Sequence, residues 1–280
     1  MTTAGAASGE VRYRRFDRTN RLLHGFMMLS FLGLAFTGLP LLFSEAPWAS
    51  ELSGVFGGAH NAALLHRVCA VVMIGTFGAH LFRLFQRLFV EKDYGILWGP
   101  ASLVPQPRDI QEFVGHLKFF LGLGPRPRFD RYTYWEKFDY WAVFWGMGII
   151  GGSGLLLWFP SFFSRLLPGW VFNVALLIHG EEALLAVTFI FTVHFFNGHL
   201  RPEKFPMDPV IFTGSVPAEE LAHERPSEWE RLTAENGLAA IRVPSPSRRV
   251  VLVGRFVGGA AVLLGLTMVT LTIYAFLTHH

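Results

Sequence analysis

The hydrophobic positions of this 280-residue chain gather into five long runs separated by polar segments. The runs cover approximately 22–43, 63–90, 138–159, 171–198 and 251–277. Each is long enough to cross about 30 Å of hydrocarbon as a helix. The pattern predicts an all-α membrane protein. Residues 1–21 form a tail, 22–200 a four-helix bundle interrupted by a loop at 91–137, 201–250 a strap, and 251–280 a fifth transmembrane helix. In the loop, Ile110, Phe113, Val114, Leu117 and Phe120 recur at helical spacing with charges between them. That spacing predicts an amphipathic helix over 108–121, lying on the membrane surface or packed as a connector. The strap is rich in Pro and charge, and a single short helix is expected in it.

Composition agrees with the pattern. The chain is 51% hydrophobic and 16% charged, against about 25% charged in soluble domains. Charge then sets an orientation. Five arginines crowd the tail (Arg12, Arg14, Arg15, Arg18, Arg21), loop 44–62 has no Lys or Arg, and loop 160–170 has only Arg165. The other two connections are rich in Lys and Arg. By the positive-inside rule the N-terminus is cytoplasmic and the C-terminus lies outside. The tail has no apolar run with a small-residue cleavage site and reads as retained. The basic pI follows from this topology, so membrane lipid is an expected partner and nucleic acid is not. Cys69 is the one cysteine, which excludes internal disulfides, thiolate metal clusters and covalent c-type haem attachment.

The chemistry-bearing residues are histidines within the apolar runs, where polar groups are costly. His66 and His80 are fourteen apart in the second run, which an α-helix separates by roughly 21 Å with a net rotation near −40°. His179 and His194 are fifteen apart in the fourth, which gives about 22 Å and about +60°. Both runs cross from outside to inside, so His66 and His179 share an outer level. His80 and His194 share an inner level with His24, which opens the first run. Imidazoles facing each other across a bundle can supply both axial bonds of a b-type haem. The same spacing keeps the two imidazoles of one run from sharing a metal ion, and the scarcity of deep acids makes a continuous proton relay poor. On an ideal helix His199 is rotated about 140° from His194, away from that face; a third haem, a quinone pocket or the interface are its open uses. Arg67, beside His66, is placed to pair with a haem propionate or to snorkel. The third run has no histidine but five glycines, Gly146, Gly148, Gly151, Gly152 and Gly154, as suits a wall approached closely by a helix or a flat cofactor. His116, His223 and the terminal His279 and His280 need no special role.

The stretches "RFDRTNRLLHGFMMLSFLGLAFTG", "LLHRVCAVV", "RYTYWEKFDYWAVFW" and "LLIHGEEALLAVTFIFTVHFFNGHL" carry a resemblance. Over about residues 11–215 the chain resembles the membrane cytochrome b subunits of respiratory formate dehydrogenase, nickel–iron hydrogenase and thiosulfate reductase. The resemblance implies a four-helix bundle with an outer haem b on His66 and His179 and an inner one on His24 and His194. It also implies quinone as substrate near the inner haem, and periplasmic oxidoreductase subunits carrying iron–sulfur clusters or multihaem cytochrome c. The expected function is electron transfer between the quinone pool and a partner oxidoreductase on the outer face. The alternative is a haem-bearing anchor that relays electrons between proteins without a quinone site. Three departures stand out. The family's "YNxGQK" reads "YTYWEK" here, with Thr133 and Glu136 in the polar places, and Glu136 is the candidate acceptor for a quinol proton. The fourth-run spacing is one residue longer than usual. His80 and His199 are additional: His80 offers another inner ligand, as in the cytochrome b of quinol–cytochrome c oxidoreductases, and all six histidines together would hold three haems.

Overall fold

A computed structural model describes residues 10–278; residues 1–9 of the expected tail, and His279 and His280, lie outside the described residues. Five helices are long and apolar enough to cross a membrane: Arg18–Leu42, Ala59–Val90, Tyr134–Trp158, Trp170–Leu200 and Arg248–Thr278. The third begins earlier than its hydropathy suggests, for a local reason. Thr133 and Glu136 form a capping box: the Thr133 main-chain N–H and hydroxyl both donate to the Glu136 carboxylate at 2.8 Å, and the Glu136 N–H donates back to the Thr133 hydroxyl. Such a box satisfies helix-start N–H groups that would otherwise be orphaned.

The chain divides into two compact units. One comprises Leu22–His80, Val143–Asp208 and the fifth helix from Arg255. Its core joins Ala35 and Leu39 of the first helix, Val187, Phe191 and Phe195 of the fourth, and Ala261 and Met268 of the fifth. The fifth helix therefore packs on the bundle, and Gly265 is the point of closest approach. A Cβ there would lie 2.6 Å from the Phe191 ring and 2.7 Å from the Phe195 ring.

The other unit comprises the described residues up to Arg21, Leu81–Ala142 and Pro209–Gly254. The strap has more structure than the single helix expected of it. Helices Ala218–Glu224, Pro226–Ala234 and Leu238–Ile241 accompany two short strands, β2 (Ser215–Pro217) and β3 (Arg242–Val243). Both pair antiparallel with β1 (Arg12–Arg14) from the tail, placing Tyr13 opposite Val216 and Arg12 opposite Val243. Tyr13, Val216 and Leu221 form a small core. In the same unit charges are buried in pairs: Arg15 with Glu228, Arg131 with Glu228 at 3.3 Å, and Lys137 with Asp109 at 2.7 Å. Burial, with Arg131 nearby, pulls the Arg15 guanidinium down to about 10, still charged at neutral pH. The loop helix forms over Pro107–Phe120 as the spacing predicts, and it leaves Ile110 and Phe120 exposed.

Packing at Gly265 is directly testable. Gly265→Ala forces the added methyl into two rings, at a cost of about 1–3 kcal/mol. Gly259→Ala meets no atom within 4 Å and is expected to be neutral or to stabilise by roughly 0.5–1 kcal/mol, the usual gain from replacing a helical glycine. Thermal midpoints of the two variants in detergent check the contrast.

Candidate functional site

The histidines converge in two places within the first unit. The first lies where the second and fourth helices face each other. The rings of His66 and His179 stand with centroids 6.2 Å apart at an interplanar angle of 73°. Each Nδ1 is already engaged. That of His66 lies 3.0 Å from the Thr37 hydroxyl, and that of His179 lies 3.0 Å from the Ile150 carbonyl and 3.3 Å from the Ser153 hydroxyl. Carbonyl oxygens only accept, so the His179 Nδ1 carries the proton. The Thr37 hydroxyl gives its own proton to the Gly33 carbonyl at 2.6 Å, so its oxygen accepts from His66. Both rings are thus held as the tautomer whose Nε2 has a free lone pair.

That geometry fits one metal shared by two imidazoles. Metal–imidazole bonds of about 2 Å, with each ring centroid about 1 Å behind its nitrogen, set centroids roughly 6 Å apart. Glycines make the room: a Cβ on Gly38 would lie 3.1 Å from His66 Cε1, and one on Gly154 would lie 3.0 Å from His179 Cε1. Among the glycines of the third helix, Gly154 is the one whose absent side chain admits an imidazole. No cluster of three or more His, Cys, Asp or Glu able to hold a metal ion occurs among the described residues, so a two-ligand prosthetic group suits the donor set.

The second place contains His24, which lies within electrostatic range of His194 and His199. Along the first helix His24 is thirteen residues from Thr37, or about 20 Å. The long His179–His194 spacing has a structural answer. The fourth helix is α-helical over Trp170–Phe189, then makes a π turn over Ile190–His194. A π turn accommodates one extra residue without turning the residues beyond it. Fifteen positions then act as fourteen, and the net rotation becomes about −40° instead of +60°, matching His66 and His80. A second π turn covers Phe196–Leu200, closed by Arg201 N–H to the Phe196 carbonyl at 3.0 Å. Residues five apart stand above one another across a π turn. His199 is therefore brought back toward the face of His194, correcting the 140° divergence computed for an ideal helix. Its Nδ1 is buried without a hydrogen-bond partner.

The remaining candidates are placed as follows. His80 packs edge-on against Phe144 of the third helix, centroids 6.3 Å apart. The Arg67 guanidinium lies over the Trp158 ring at 5.9 Å. In the other unit, Glu136 has both carboxylate oxygens occupied, one by Thr133 and the other by Arg225 at 2.9 Å. A carboxylate expected to be open to a proton is instead a helix cap and an ion-pair partner. The T-x-x-E spacing ahead of an apolar run was a readable sign of that role.

A family model described as prokaryotic cytochrome b561 matches residues 15–201, a stretch containing all six candidate histidines. The chain belongs to this family. It is a multi-pass membrane cytochrome of the b type, with a fifth helix beyond the matched region. It is similar to the formate dehydrogenase cytochrome b556(fdo) subunit of Escherichia coli K12, 25% identical over 184 residues, which cover 65% of this chain and 76% of that protein. The formate dehydrogenase cytochrome b556 subunit of Haemophilus influenzae is 23% identical over 181 residues, covering 65% and 68%.

The π turn in this cytochrome makes a prediction. Deleting Val193 removes the insertion, restores α-helix and keeps His194 on its face, and haem content is expected to stay at the wild-type level. Inserting an alanine after Phe189 turns His194 by about 100° and is expected to lower it. Haem absorbance per polypeptide distinguishes the two.

Proposed function

We propose that this chain is the haem-b membrane subunit of a quinone-linked oxidoreductase in a bacterial inner membrane, with its N-terminus cytoplasmic and its C-terminus periplasmic. The observation that carries the reading is the His66–His179 pair, 6.2 Å apart with both Nδ1 atoms committed. His66 and His179 hold the outer haem; His24 and His194 hold the inner one. When bound, haem b supplies reversible one-electron transfer. The chain's own residues orient the imidazoles, exclude water and set the depth of each site. Arg67 is assigned to Trp158 and the nearby interface, where its charge also suits an outer propionate. The similar chains are subunits of formate dehydrogenases by name, which supports a partner oxidoreductase; its periplasmic position, its iron–sulfur clusters or multihaem cytochrome c, and quinone or quinol as the other redox partner belong to the same proposal. Glu136, engaged at both oxygens, is assigned to capping and ion pairing; Glu136→Gln preserves the capping box and is expected to keep quinone turnover.

One observation favours a second reading of haem number. The buried, unpartnered Nδ1 of His199 is what an additional ligand would present, and with His80 it would allow a third haem. Pyridine haemochrome on the purified chain and on His24→Ala and His80→Ala variants decides. Two haems, one lost on changing His24 and none on changing His80, is the expected result. Three haems, with each variant losing one, would replace it. Reduction of the purified chain by quinol tests the quinone link; haems that quinol leaves oxidised would favour a relay between protein partners.

A further inference from the structure

The outer histidines are held by the same short device twice. On the first helix a hydroxyl residue followed by glycine, Thr37–Gly38, meets His66. On the third helix Ser153–Gly154 meets His179. In each case the hydroxyl gives its own proton to a main-chain carbonyl one turn back, Thr37 to Gly33 at 2.6 Å and Ser153 to Ile149 at 2.7 Å. The oxygen lone pairs are then turned to the imidazole Nδ1, at 3.0 and 3.3 Å. In each case the glycine stands over the Cε1–Nδ1 edge of the same ring, where a Cβ would lie 3.0–3.4 Å away. Thr37 is fully buried and Ser153 nearly so. The third helix adds a further acceptor: it makes a π turn at Met147–Gly151, and the Ile150 carbonyl within that turn accepts from His179 at 3.0 Å.

We propose that Thr37–Gly38 and Ser153–Gly154 are the positioning residues of the His66–His179 pair, setting tautomer, ring plane and the electron donation of both imidazoles to a shared iron. The proposal rests on the haem reading above. A ligating imidazole whose Nδ1–H is hydrogen-bonded is a more basic ligand, which favours the ferric form and lowers the potential. Removing the acceptor raises it. Each imidazole also faces a main-chain carbonyl, His66 that of Leu34 and His179 that of Ile150, so changing either hydroxyl weakens the hold on its ring without removing it.

The test is redox titration and low-temperature electron paramagnetic resonance (EPR) on the purified full-length chain. Thr37→Val should retain haem and raise the midpoint of one haem by about a tenfold change in its reduced-to-oxidised ratio, about 59 mV for a one-electron couple, with an altered low-spin signal. Thr37→Ser should restore the original values. Ser153→Ala should shift the same haem in the same direction, and provides the reading if Thr37→Val fails to assemble. Ser30→Ala is the control: Ser30 makes the same carbonyl bond one turn back, to Phe26 at 2.7 Å, and its side-chain neighbour is Met73 rather than a histidine. Unchanged midpoints and spectra in both Thr37→Val and Ser153→Ala, with haem present, would overturn the proposal. A wild-type chain without b-type haem would instead defeat the reading on which it rests.

Discussion

An imidazole inside hydrocarbon has two nitrogens to satisfy, and the bundle is arranged around that requirement. At His66 and His179 the Nδ1 of each ring is given to the protein, leaving Nε2 of each for a metal. The demand propagates outward. A hydroxyl must stand at the right depth on the neighbouring helix, its own proton must be taken by that helix's backbone, and the next residue must be glycine so that the ring fits. The glycine-rich third helix carries no histidine, and its Gly154 leaves room for the His179 ring.

The same requirement repeats about 20 Å away along the first helix, where His24, His194 and His199 gather. Here the fourth helix departs from α geometry instead of using small residues. Two successive π turns rephase its end, so that an extra residue in the sequence leaves His194 in register. The two groups of histidines, one at each end of the first helix, are what an electron path across a bilayer needs. The fifth helix closes one side of this unit at Gly265, against Phe191, which lies within the first π turn of the fourth helix, and Phe195, which follows it.

Much of this was legible in the chain. Five apolar runs mark five helices, and histidines spaced by about four turns mark the two helices whose His66 and His179 rings face each other. The His66 level is matched to His179 by counting from the same side, since both runs cross in one direction. What was not legible depends on departures from regularity or on distant partners. Counting at 100° per residue misplaces His194 and His199 because π turns leave no simple residue signature. Only a single short helix was expected in the strap because its strands find their partner in Arg12–Arg14, some two hundred residues away. Glu136 drew attention as a lone acid at a family position, and its two engagements come from Thr133, three residues back, and Arg225, far along the chain. The first of these was visible as a capping box; the second was not.

The central claim is that His66 and His179 share one haem iron. The most direct measurement is the EPR spectrum of the oxidised, purified chain compared with His66→Ala and His179→Ala. The account predicts low-spin ferric signals of bis-imidazole type in the wild type, with the same one of them lost in both variants and the other intact. Two variants that lose different signals, or that leave every low-spin signal in place, would contradict it.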